Sequence, residues 1–366
     1  MRRCSYCDFA VTVDARPAAG DWVELVALEL ERLVTAHGWA APWSLDTVYC
    51  GGGTPSLLGP DAMARLRDRL DTLVRWDDSA EWTCEANPES FTPEVARAWR
   101  AAGVNRISLG AQSFQEPVLR WMGRLHGVAG PGLALDAARA AGIDNVSIDL
   151  IFGLPARLGR DWDADLAATL ALAPEHVSLY GLTAEAATPL GRWVAEGKER
   201  LADEDTYAAE YLAAVHALAA GGYQAYEVSN FARPGRASRH NQAYWDGRAY
   251  LGLGSGAHSY VAPQRWWNVR DWHEYTARLR AGEATEAGSE EVAGADGALE
   301  RAWLGLRQDT GLPVAALGAS QLRVVAGWQR EGWAERTADR VRLTPRGWLL
   351  LDRLVVELDG AAGGVA

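Results

Sequence analysis

Cysteine is scarce in this sequence of 366 residues, which contains only Cys4, Cys7, Cys50 and Cys84. So few cysteines exclude a disulfide-stapled scaffold, because such folds depend on several bridges in a short chain. No apolar run reaches the roughly 18 residues of a membrane helix, so the sequence predicts no membrane span. The first residues include two arginines but no apolar segment, so we expect no signal peptide and a cytoplasmic protein.

Positive charge is also in short supply. The 36 Lys and Arg residues are outnumbered by 48 Asp and Glu residues, which gives a formal net charge of -12 at pH 7. A nucleic-acid binder needs a basic surface that displaces counterions from phosphates, and anionic lipid surfaces attract basic clusters. The composition therefore predicts a protein that binds neither nucleic acid nor an anionic membrane surface.

Strand-like and helix-like stretches alternate from residue 21 to about residue 226. Short apolar runs at 81–86, 106–110 and 146–152 are separated by helical patterns, which indicates βαβ units and a parallel sheet. Polar residues or glycines follow nearly every run. Because the loops after parallel strands build the ligand site in α/β folds, we expect the chemistry at one end of the sheet.

The composition divides the chain into three parts and a connector. The alternating pattern occupies residues 1–230, and residues 231–282 form a polar, aromatic segment that is too long for a passive loop. Residues 298–358 predict a small helical unit with a short strand pair, as in winged-helix domains. The Gly-, Ala- and Glu-rich residues 283–297 predict a flexible linker.

Cys4 and Cys7 form a C-x2-C pair with Tyr6 between them. Two thiolates at this spacing can bind one soft metal ion or one iron–sulfur cluster, because the turn directs both sulfurs inward. Taken alone, the pair also fits zinc, a redox-active dithiol or a chance pairing.

Three consecutive glycines, Gly51, Gly52 and Gly53, follow a predicted strand and precede Thr54. They allow the backbone to approach a ligand closely and to present its amide and carbonyl groups. A tight turn that requires positive φ explains the same glycines without a ligand. No Gly-Lys-Ser/Thr follows, which excludes a phosphate-binding loop.

An ordered set of motifs resembles the radical S-adenosylmethionine (SAM) superfamily and, within it, the oxygen-independent coproporphyrinogen oxidase-like proteins, particularly the HemW heme-chaperone branch. The motifs are the cysteine pair and residues 51–56 (GGGTPS), 85–88 (EANP), 105–114 (NRISLGAQSF), 123–126 (GRLH), 148–155 (IDLIFGLP), 226–232 (YEVSNFA), 238–245 (SRHNQAYW) and 252–260 (GLGSGAHSY). The resemblance covers residues 2 to about 350. It implies an α/β fold, an incomplete parallel (β/α)6 barrel with a small C-terminal winged-helix-like domain.

The resemblance implies a [4Fe-4S] cluster and SAM as cofactors. In the superfamily, three cysteines spaced C-x3-C-x2-C bind three irons, and the fourth iron chelates SAM. Cys4 and Cys7 match the second and third cysteines, whereas the first cysteine and the opening barrel strand would precede Met1. Two interpretations stay open: a translation start placed inside the motif, or real loss of one ligand, which leaves a degenerate binding protein. Substitution of the missing ligand by Cys50 or Cys84 is a further alternative, although packing in the core also explains a cysteine at the end of a strand.

The resemblance also implies a SAM-binding set. Glu85 matches the acceptor for the ribose hydroxyls, and Arg124 is suited to the SAM carboxylate. The implied set is Gly52, Gly53, Thr54, Glu85, Gln112, Arg124 and Asp149, with Tyr6 and Phe9 beside the cluster. Without the resemblance, Gln112, Arg124 and Asp149 would also fit ordinary surface hydrogen bonding.

Phe9 separates two branches of the family. The true oxidases carry a further cysteine two residues after the third ligand, where this chain has Phe9 and so follows the heme-chaperone branch. That branch implies heme binding and delivery to an acceptor protein, such as a membrane-bound respiratory enzyme. Heme needs an axial ligand and an apolar slot: His240 is the leading candidate, Tyr244 and Trp245 could form the wall, and His258 is the second candidate.

Two other functions fit the same motifs. One is SAM-dependent oxidative decarboxylation of coproporphyrinogen III, and the other is a degenerate barrel that binds a ligand without a cluster. Formation of protoporphyrinogen under anaerobic conditions would identify the first. Failure to take up a cluster after reconstitution would identify the second.

Overall fold

The computed structural model describes residues 4–12, 19–77 and 79–363. The strands are β1 (Trp43–Ser44), β2 (Thr47–Cys50), β3 (Val74–Arg75), β4 (Glu81–Ala86), β5 (Arg106–Gln112), β6 (Val146–Phe152), β7 (His176–Gly181), β8 (Gln224–Glu227), β9 (Asn230–Ala232), β10 (His258–Val261), β11 (Gln264–Asn268), β12 (Glu286–Glu291), β13 (Leu312–Pro313), β14 (Ala334–Arg336) and β15 (Arg340–Leu343).

The helices are α1 (Ala19–His37), α2 (Ala62–Leu70), α3 (Pro93–Ala102), α4 (Glu116–Met122), α5 (Gly130–Ala140), α6 (Trp162–Leu172), α7 (Pro189–Ala195), α8 (Glu204–Ala220), α9 (Arg239–Trp245), α10 (Trp272–Ala281), α11 (Gly294–Leu306), α12 (Ala319–Arg330), α13 (Pro345–Trp348) and α14 (Leu351–Gly363). Short 3-10 turns lie at Pro55–Leu58, Ala156–Leu158 and Val314–Ala316. Every helix among the residues that the structure describes is too short or too polar to cross a bilayer.

The largest sheet has the strand order β2-β4-β5-β6-β7-β9-β8. The neighbours from β2 to β7 pair in parallel, whereas β9 is antiparallel to both β7 and β8. Strands β5 and β6 are mostly buried, as expected for parallel strands covered by helices. The apolar core between sheet and helices includes Trp99, Leu109 and Ile148, and it confirms the α/β partial barrel that the sequence predicts.

Local signals in the sequence explain where individual helices begin and end. At the start of α3 the Thr92 side chain accepts a hydrogen bond from the Val95 backbone N–H, and Pro93 occupies the first turn. Gly103 ends the helix in the left-handed region, at a φ of 113°. These caps place β4 and β5 side by side, with their carboxyl ends at the same edge.

The flexible linker predicted over 283–297 is wrong. Residues 286–291 form β12, which pairs antiparallel with β11, and α11 begins at Gly294. Five of the six residues of β12 are exposed, and charged side chains are a common feature of edge strands. The linker prediction failed because an exposed strand made of Glu, Ala, Gly and Ser has the same composition as a flexible linker.

The two remaining parts have secondary structure of their own. The polar, aromatic segment contains α9, the β10–β11 hairpin and α10. The C-terminal part runs helix, strand, helix and strand pair through α11, β13, α12, β14 and β15, with α14 packed on α11 and α12. This order of elements is the one expected of a winged-helix-like unit.

Candidate functional site

Glu85 lies near the carboxyl end of β4 and is fixed by two hydrogen bonds. The Tyr49 hydroxyl donates to Oε1 at 2.7 Å, and the Gly52 backbone N–H donates to Oε2 at 2.9 Å. Burial raises the pKa of the Glu85 carboxyl, which the two donors partly offset. The carboxylate is therefore held in one orientation at the mouth of the sheet.

The glycine turn packs against this carboxylate. A Cβ on Gly51 would lie 2.5 Å from Tyr49 Cε1 and 2.7 Å from Glu85 Cδ, so only glycine fits. Gly52 has a φ of 94°, which other residues rarely adopt. The turn thus needs glycine both for its conformation and for its close approach to Glu85. Gly51 is absent from the predicted SAM set, although its place in the triple-glycine motif points to it.

Gln112 ends β5 in an unusual conformation. It has a φ of 68°, a value that is uncommon for residues other than glycine and often marks functional positions. Its Oε1 atom is buried, and no donor within the described residues reaches it. A buried acceptor without a partner is costly unless a ligand supplies the donor, which fits a polar cofactor at this position.

Arg124 connects the cysteine loop to the glycine turn. Its Nη2 donates to Asn87 Oδ1 at 2.8 Å and to the Gly110 carbonyl, and Nη1 lies 3.9 Å from Cys4 Sγ. Asn87 in turn donates to Thr54 Oγ1 at 3.3 Å. One cation therefore reaches a predicted cluster ligand and, through a single amide, the predicted SAM loop. Asn87 was missed, although it belongs to the motif that contains Glu85.

Asp149 lies on β6 inside the partial barrel. Ser108 Oγ donates to its carboxylate at 3.0 Å and Ser147 Oγ at 3.1 Å. Burial raises the pKa of Asp149, and the serine hydroxyls oppose that effect. The negative charge of Asp149 also contributes to raising the pKa of Glu85.

The cysteine loop is anchored to the barrel. The Cys7 backbone N–H donates to the Cys4 carbonyl at 3.3 Å, and the Ser5 carbonyl accepts from the Leu190 N–H at 2.9 Å. Tyr6 is half-buried, and desolvation followed by the nearby Cys4 raises its pKa. Phe9 has 60% of its surface exposed. These contacts hold both sulfur-bearing residues at the mouth of the sheet, beside Arg124.

The donor set fits an iron–sulfur cluster in part. Cys4 and Cys7 supply two thiols next to a cation, and the buried Ser5 Oγ has no partner among the described residues. Over residues 4–12, 19–77 and 79–363, no group of three or more potential ligands could hold a metal ion. Within the described residues, Cys4 and Cys7 are the two thiols that match the predicted cluster ligands, and the third ligand that the resemblance implies is not grouped with them.

Neither Cys50 nor Cys84 can be that third ligand. The two are partners on β2 and β4, with 7% and 0% of their surfaces exposed. Cys84 Sγ lies 3.5 Å from Met63 Sδ, a buried atom of α2. Because side chains alternate along a strand, Cys84 points into the helix-covered core while its neighbour Glu85 points to the site. The structure thus excludes this substitution.

His240 lies at the amino ends of β2 and β4, where its backbone N–H donates to Glu81 at 3.1 Å. Its Nδ1 lies 2.8 Å from Thr47 Oγ1, and its Nε2 lies 3.0 Å from the Tyr244 hydroxyl. The ring stacks on Tyr49 with centroids 5.0 Å apart. Burial, and then the positive charge of Arg106, lower the pKa of His240 to about 4. The imidazole is therefore neutral and hydrogen-bonded at both nitrogens.

His258 lies in a different place from His240. It begins β10, is exposed, and stacks on Trp267 with ring centroids 5.7 Å apart. Together with Tyr244 and Trp245 it lines a cavity of about 950 Å³, whose lining does not include His240. Three of the four predicted heme residues therefore line one cavity, and His240 contacts that group through the Tyr244 hydroxyl.

A buried carboxylate positions the turn that precedes His258. Glu29 of α1 accepts hydrogen bonds from the Gly254 N–H and the Tyr275 hydroxyl, both at 2.7 Å, and from Asn268 Nδ2. Burial raises the Glu29 pKa, and these donors oppose that effect. Glu29 was not predicted, because nothing in an amphipathic helix pattern distinguishes this glutamate from a solvated one.

Comparison with known proteins agrees with the geometry. The sequence model of the Radical SAM superfamily matches residues 1–167. The heme chaperone HemW of Mycobacterium tuberculosis is 39% identical over 364 residues, covering 98% of this chain and 92% of that protein. The heme chaperone HemW of Bacillus subtilis is 32% identical, covering 84% and 81%.

A solved structure shares the fold. The structure of coproporphyrinogen III oxidase (HemN) from Escherichia coli, described as a radical SAM enzyme, matches with a TM-score of 0.81 and 20% sequence identity. The match covers 98% of this chain and 87% of that one. It confirms the predicted fold for the whole chain, including the C-terminal unit.

Proposed function

Because the chain belongs to the HemW branch of the coproporphyrinogen oxidase-like radical SAM proteins, we propose that it is a heme chaperone. It binds heme, a [4Fe-4S] cluster and SAM, and it delivers heme to an acceptor protein such as a membrane-bound respiratory enzyme. The observation that carries this proposal is the 39% identity to a heme chaperone over nearly the whole chain. Phe9, where the oxidases have a cysteine, supports the same branch.

The strand-end site, defined by Gly52, Glu85, Gln112, Arg124 and Asp149, is proposed to hold SAM together with Gly53 and Thr54. Glu85 accepts from the ribose hydroxyls, and Arg124 pairs with the carboxylate. Gln112 Oε1, which has no donor within the described chain, accepts a donor from the cofactor. Cys4 and Cys7 supply two cluster thiolates, with Tyr6 and Phe9 beside them. When bound, the cluster supplies one electron to SAM.

Each of the three parts of the chain is assigned a separate role. Residues 1–230 form the cofactor-binding barrel, residues 231–282 form the heme-associated segment, and residues 298–358 form the C-terminal domain. The axial heme ligand belongs to the second part, where His240 and His258 are the candidates and Tyr244 and Trp245 form the wall. We place the protein in the cytoplasm.

Oxygen-independent coproporphyrinogen III oxidation is the competing function, since the solved HemN structure has the same fold. One experiment separates the two. Full-length protein is reconstituted anaerobically, titrated with hemin, and incubated with coproporphyrinogen III, SAM and reductant. The proposal predicts hemin binding, heme transfer to an apo-cytochrome and no protoporphyrinogen. Turnover to protoporphyrinogen without hemin binding would overturn it.

A further inference from the structure

A chain of hydrogen bonds runs through the interior of the partial barrel from β8 to β6. The Tyr226 hydroxyl lies 2.8 Å from His176 Nε2, and His176 Nδ1 lies 2.8 Å from Ser147 Oγ. Ser147 Oγ in turn donates to Asp149 Oδ1 at 3.1 Å. The chain therefore ends on a carboxylate of the strand-end site.

This chain is shielded from solvent. Ser147 and His176 are fully buried, and Tyr226 has 9% of its surface exposed. Polar groups in such surroundings cost free energy unless they are hydrogen-bonded, and both ring nitrogens of His176 have a partner. The direction of each hydrogen bond is therefore set by the other members of the chain.

The two ends of the chain fix that direction. The Ser238 backbone N–H donates to the Tyr226 hydroxyl oxygen at 3.4 Å, whereas an ionised Asp149 can only accept. The Tyr226 O–H is then left to donate to His176 Nε2, so that neutral His176 carries its proton on Nδ1 and donates it to Ser147. The Ser147 O–H is thereby directed at Asp149.

A buried arginine favours these charge states. The Arg106 side chain has 2% of its surface exposed. Burial, and then the positive charge of Arg106, lower the pKa of His176 far below its usual value. Burial raises the pKa of Asp149, and the neighbouring serine hydroxyls, followed by Arg106, oppose that effect. The same cation therefore disfavours an imidazolium at His176 and favours an ionised Asp149.

We propose that His176 is a positioning residue for SAM binding, because its Nδ1–H acts through Ser147 to hold Asp149 as a hydrogen-bond acceptor for the cofactor. SAM offers hydroxyl and amino donors and carries a positive charge on sulfur, so it favours a carboxylate over a protonated carboxyl group. His176 does not touch the cofactor, and no proton is transferred. This role rests on the proposed SAM site at the strand ends.

The tautomer of His176 tests the direction of the chain without any ligand. NMR of full-length protein with isotope-labelled histidine reports which ring nitrogen carries the proton, and the His176→Gln spectrum identifies the signal. A neutral ring with its proton on Nδ1 is expected near neutral pH. A proton on Nε2, or an imidazolium, would overturn the role.

Two matched substitutions test the effect on the cofactor. The His176→Asn amide lies near the Nδ1 position and can still donate to Ser147, whereas the His176→Gln amide reaches Tyr226 instead. Calorimetric titration of reconstituted full-length protein should show SAM affinity about three- to tenfold lower in His176→Gln, the effect of one hydrogen bond. His176→Asn should retain most of the affinity. His216→Gln, at an exposed histidine of α8, is the control.

The pH profile of SAM binding gives a readout that a merely structural role would not move. In His176→Gln, Asp149 loses a directed donor, so its pKa should rise and the fall in SAM affinity at acid pH should begin at a higher pH. His176→Asn should keep the wild-type profile. The other charged and titratable groups that act on Asp149, or that its charge acts on, are the same in every variant: Arg106, Glu85, Tyr49 and Tyr180.

The possible failures point to different conclusions. Equal losses of SAM affinity in His176→Asn and His176→Gln, or unchanged affinity in both, would overturn the positioning role and leave the SAM site standing. A wild-type protein that binds no SAM would overturn the proposed function of the strand-end site, and this role with it, whichever tautomer His176 has.

Discussion

The strand-end site and the cavity lined by Tyr244, Trp245 and His258, here called the aromatic cavity, are built in opposite ways. At the strand ends, Glu85 accepts a hydrogen bond from the Gly52 backbone N–H and Arg124 donates one to the Gly110 carbonyl, so both side chains have fixed orientations. In the aromatic cavity, tyrosine and tryptophan rings line the wall together with several carboxylates, and His258 is not hydrogen-bonded within the described chain. The first site suits a small charged molecule held in one orientation, and the second suits a flat apolar molecule.

The difference between the two sites also affects how readily each would release its ligand. Directional, charge-assisted hydrogen bonds favour tight retention of a cofactor, whereas stacking in an open cavity allows a cargo to leave. Under the proposed function, the strand-end site would retain the cofactors and the aromatic cavity would release the heme. Variants that change one site and leave the other intact therefore measure whether ligand binding at the two sites is independent.

The largest effect is expected at the cysteine loop. Cys4→Ser or Cys7→Ser should abolish cluster iron after anaerobic reconstitution of full-length protein, since each removes a thiolate ligand. Iron content per chain and hemin affinity are measured in parallel, and hemin affinity should not change. Cys50→Ala is the matched control, because Cys50 is buried in the sheet. Equal iron loss in Cys50→Ala would contradict the ligand assignment.

The ion pair between Arg307 and the buried Glu227 should have the largest effect on the free energy of unfolding. Arg307→Met leaves the Glu227 carboxylate buried without its cation, and breaking such a pair typically costs about 3–5 kcal/mol. Urea unfolding measures the loss. The double variant Arg307→Met with Glu227→Gln should recover part of it, since no buried charge remains. If Arg307→Met is as stable as the wild type, the ion pair does not contribute to the stability of this region.

A smaller effect is expected for a neutral substitution at the strand ends. Glu85→Gln removes the charge from an acceptor of similar shape, and hydrogen bonds to charged groups contribute about 1.5–3 kcal/mol. SAM affinity should therefore fall roughly 10- to 100-fold, while hemin affinity stays the same. Calorimetric titration of the reconstituted protein is the measurement, with Glu94→Gln on α3 as control. Parallel losses of SAM and hemin affinity would mean that the two sites are one.

The pH dependence of hemin binding should show the smallest but most discriminating effect. Burial, and then the charge of Arg265, lower the pKa of His258 below its usual 6.5, while Glu290 opposes and Arg270 reinforces the shift. Only neutral imidazole binds iron, so affinity should hold above that lowered pKa and fall as pH drops through it.

The same titration distinguishes the two histidines. In His258→Ala, the fall in hemin affinity at acid pH, the acid limb of the pH profile, should disappear. A limb that persists in that variant and is centred near pH 4 would instead indicate His240, whose pKa is about 4.

Sequence patterns were sufficient to place Glu85 and Gln112 near strand ends, where the structure has them. Glu85 and Gln112 occur at the ends of recognisable strands, and parallel topology brings such positions to one edge. The positive φ of Gln112 could not be foreseen, because glutamine seldom adopts it.

The aromatic cavity was less accessible to prediction. The different positions of His240 and His258 depend on how α9 and the β10–β11 hairpin pack against α14. Helix α14 follows α9 by more than 100 residues, so no local sequence pattern reports this packing. The motif that contains His240, Tyr244 and Trp245 was treated as one unit. A helix of seven residues, however, points His240 into the barrel and Trp245 toward the cavity.

The position of heme iron tests the central claim most directly. A crystal structure of hemin-loaded full-length protein, with anomalous scattering from iron, would locate it. The two-site account predicts a heme iron beside a histidine of residues 231–282, apart from any iron at Cys4 and Cys7. A heme iron at the cysteine loop itself would contradict it.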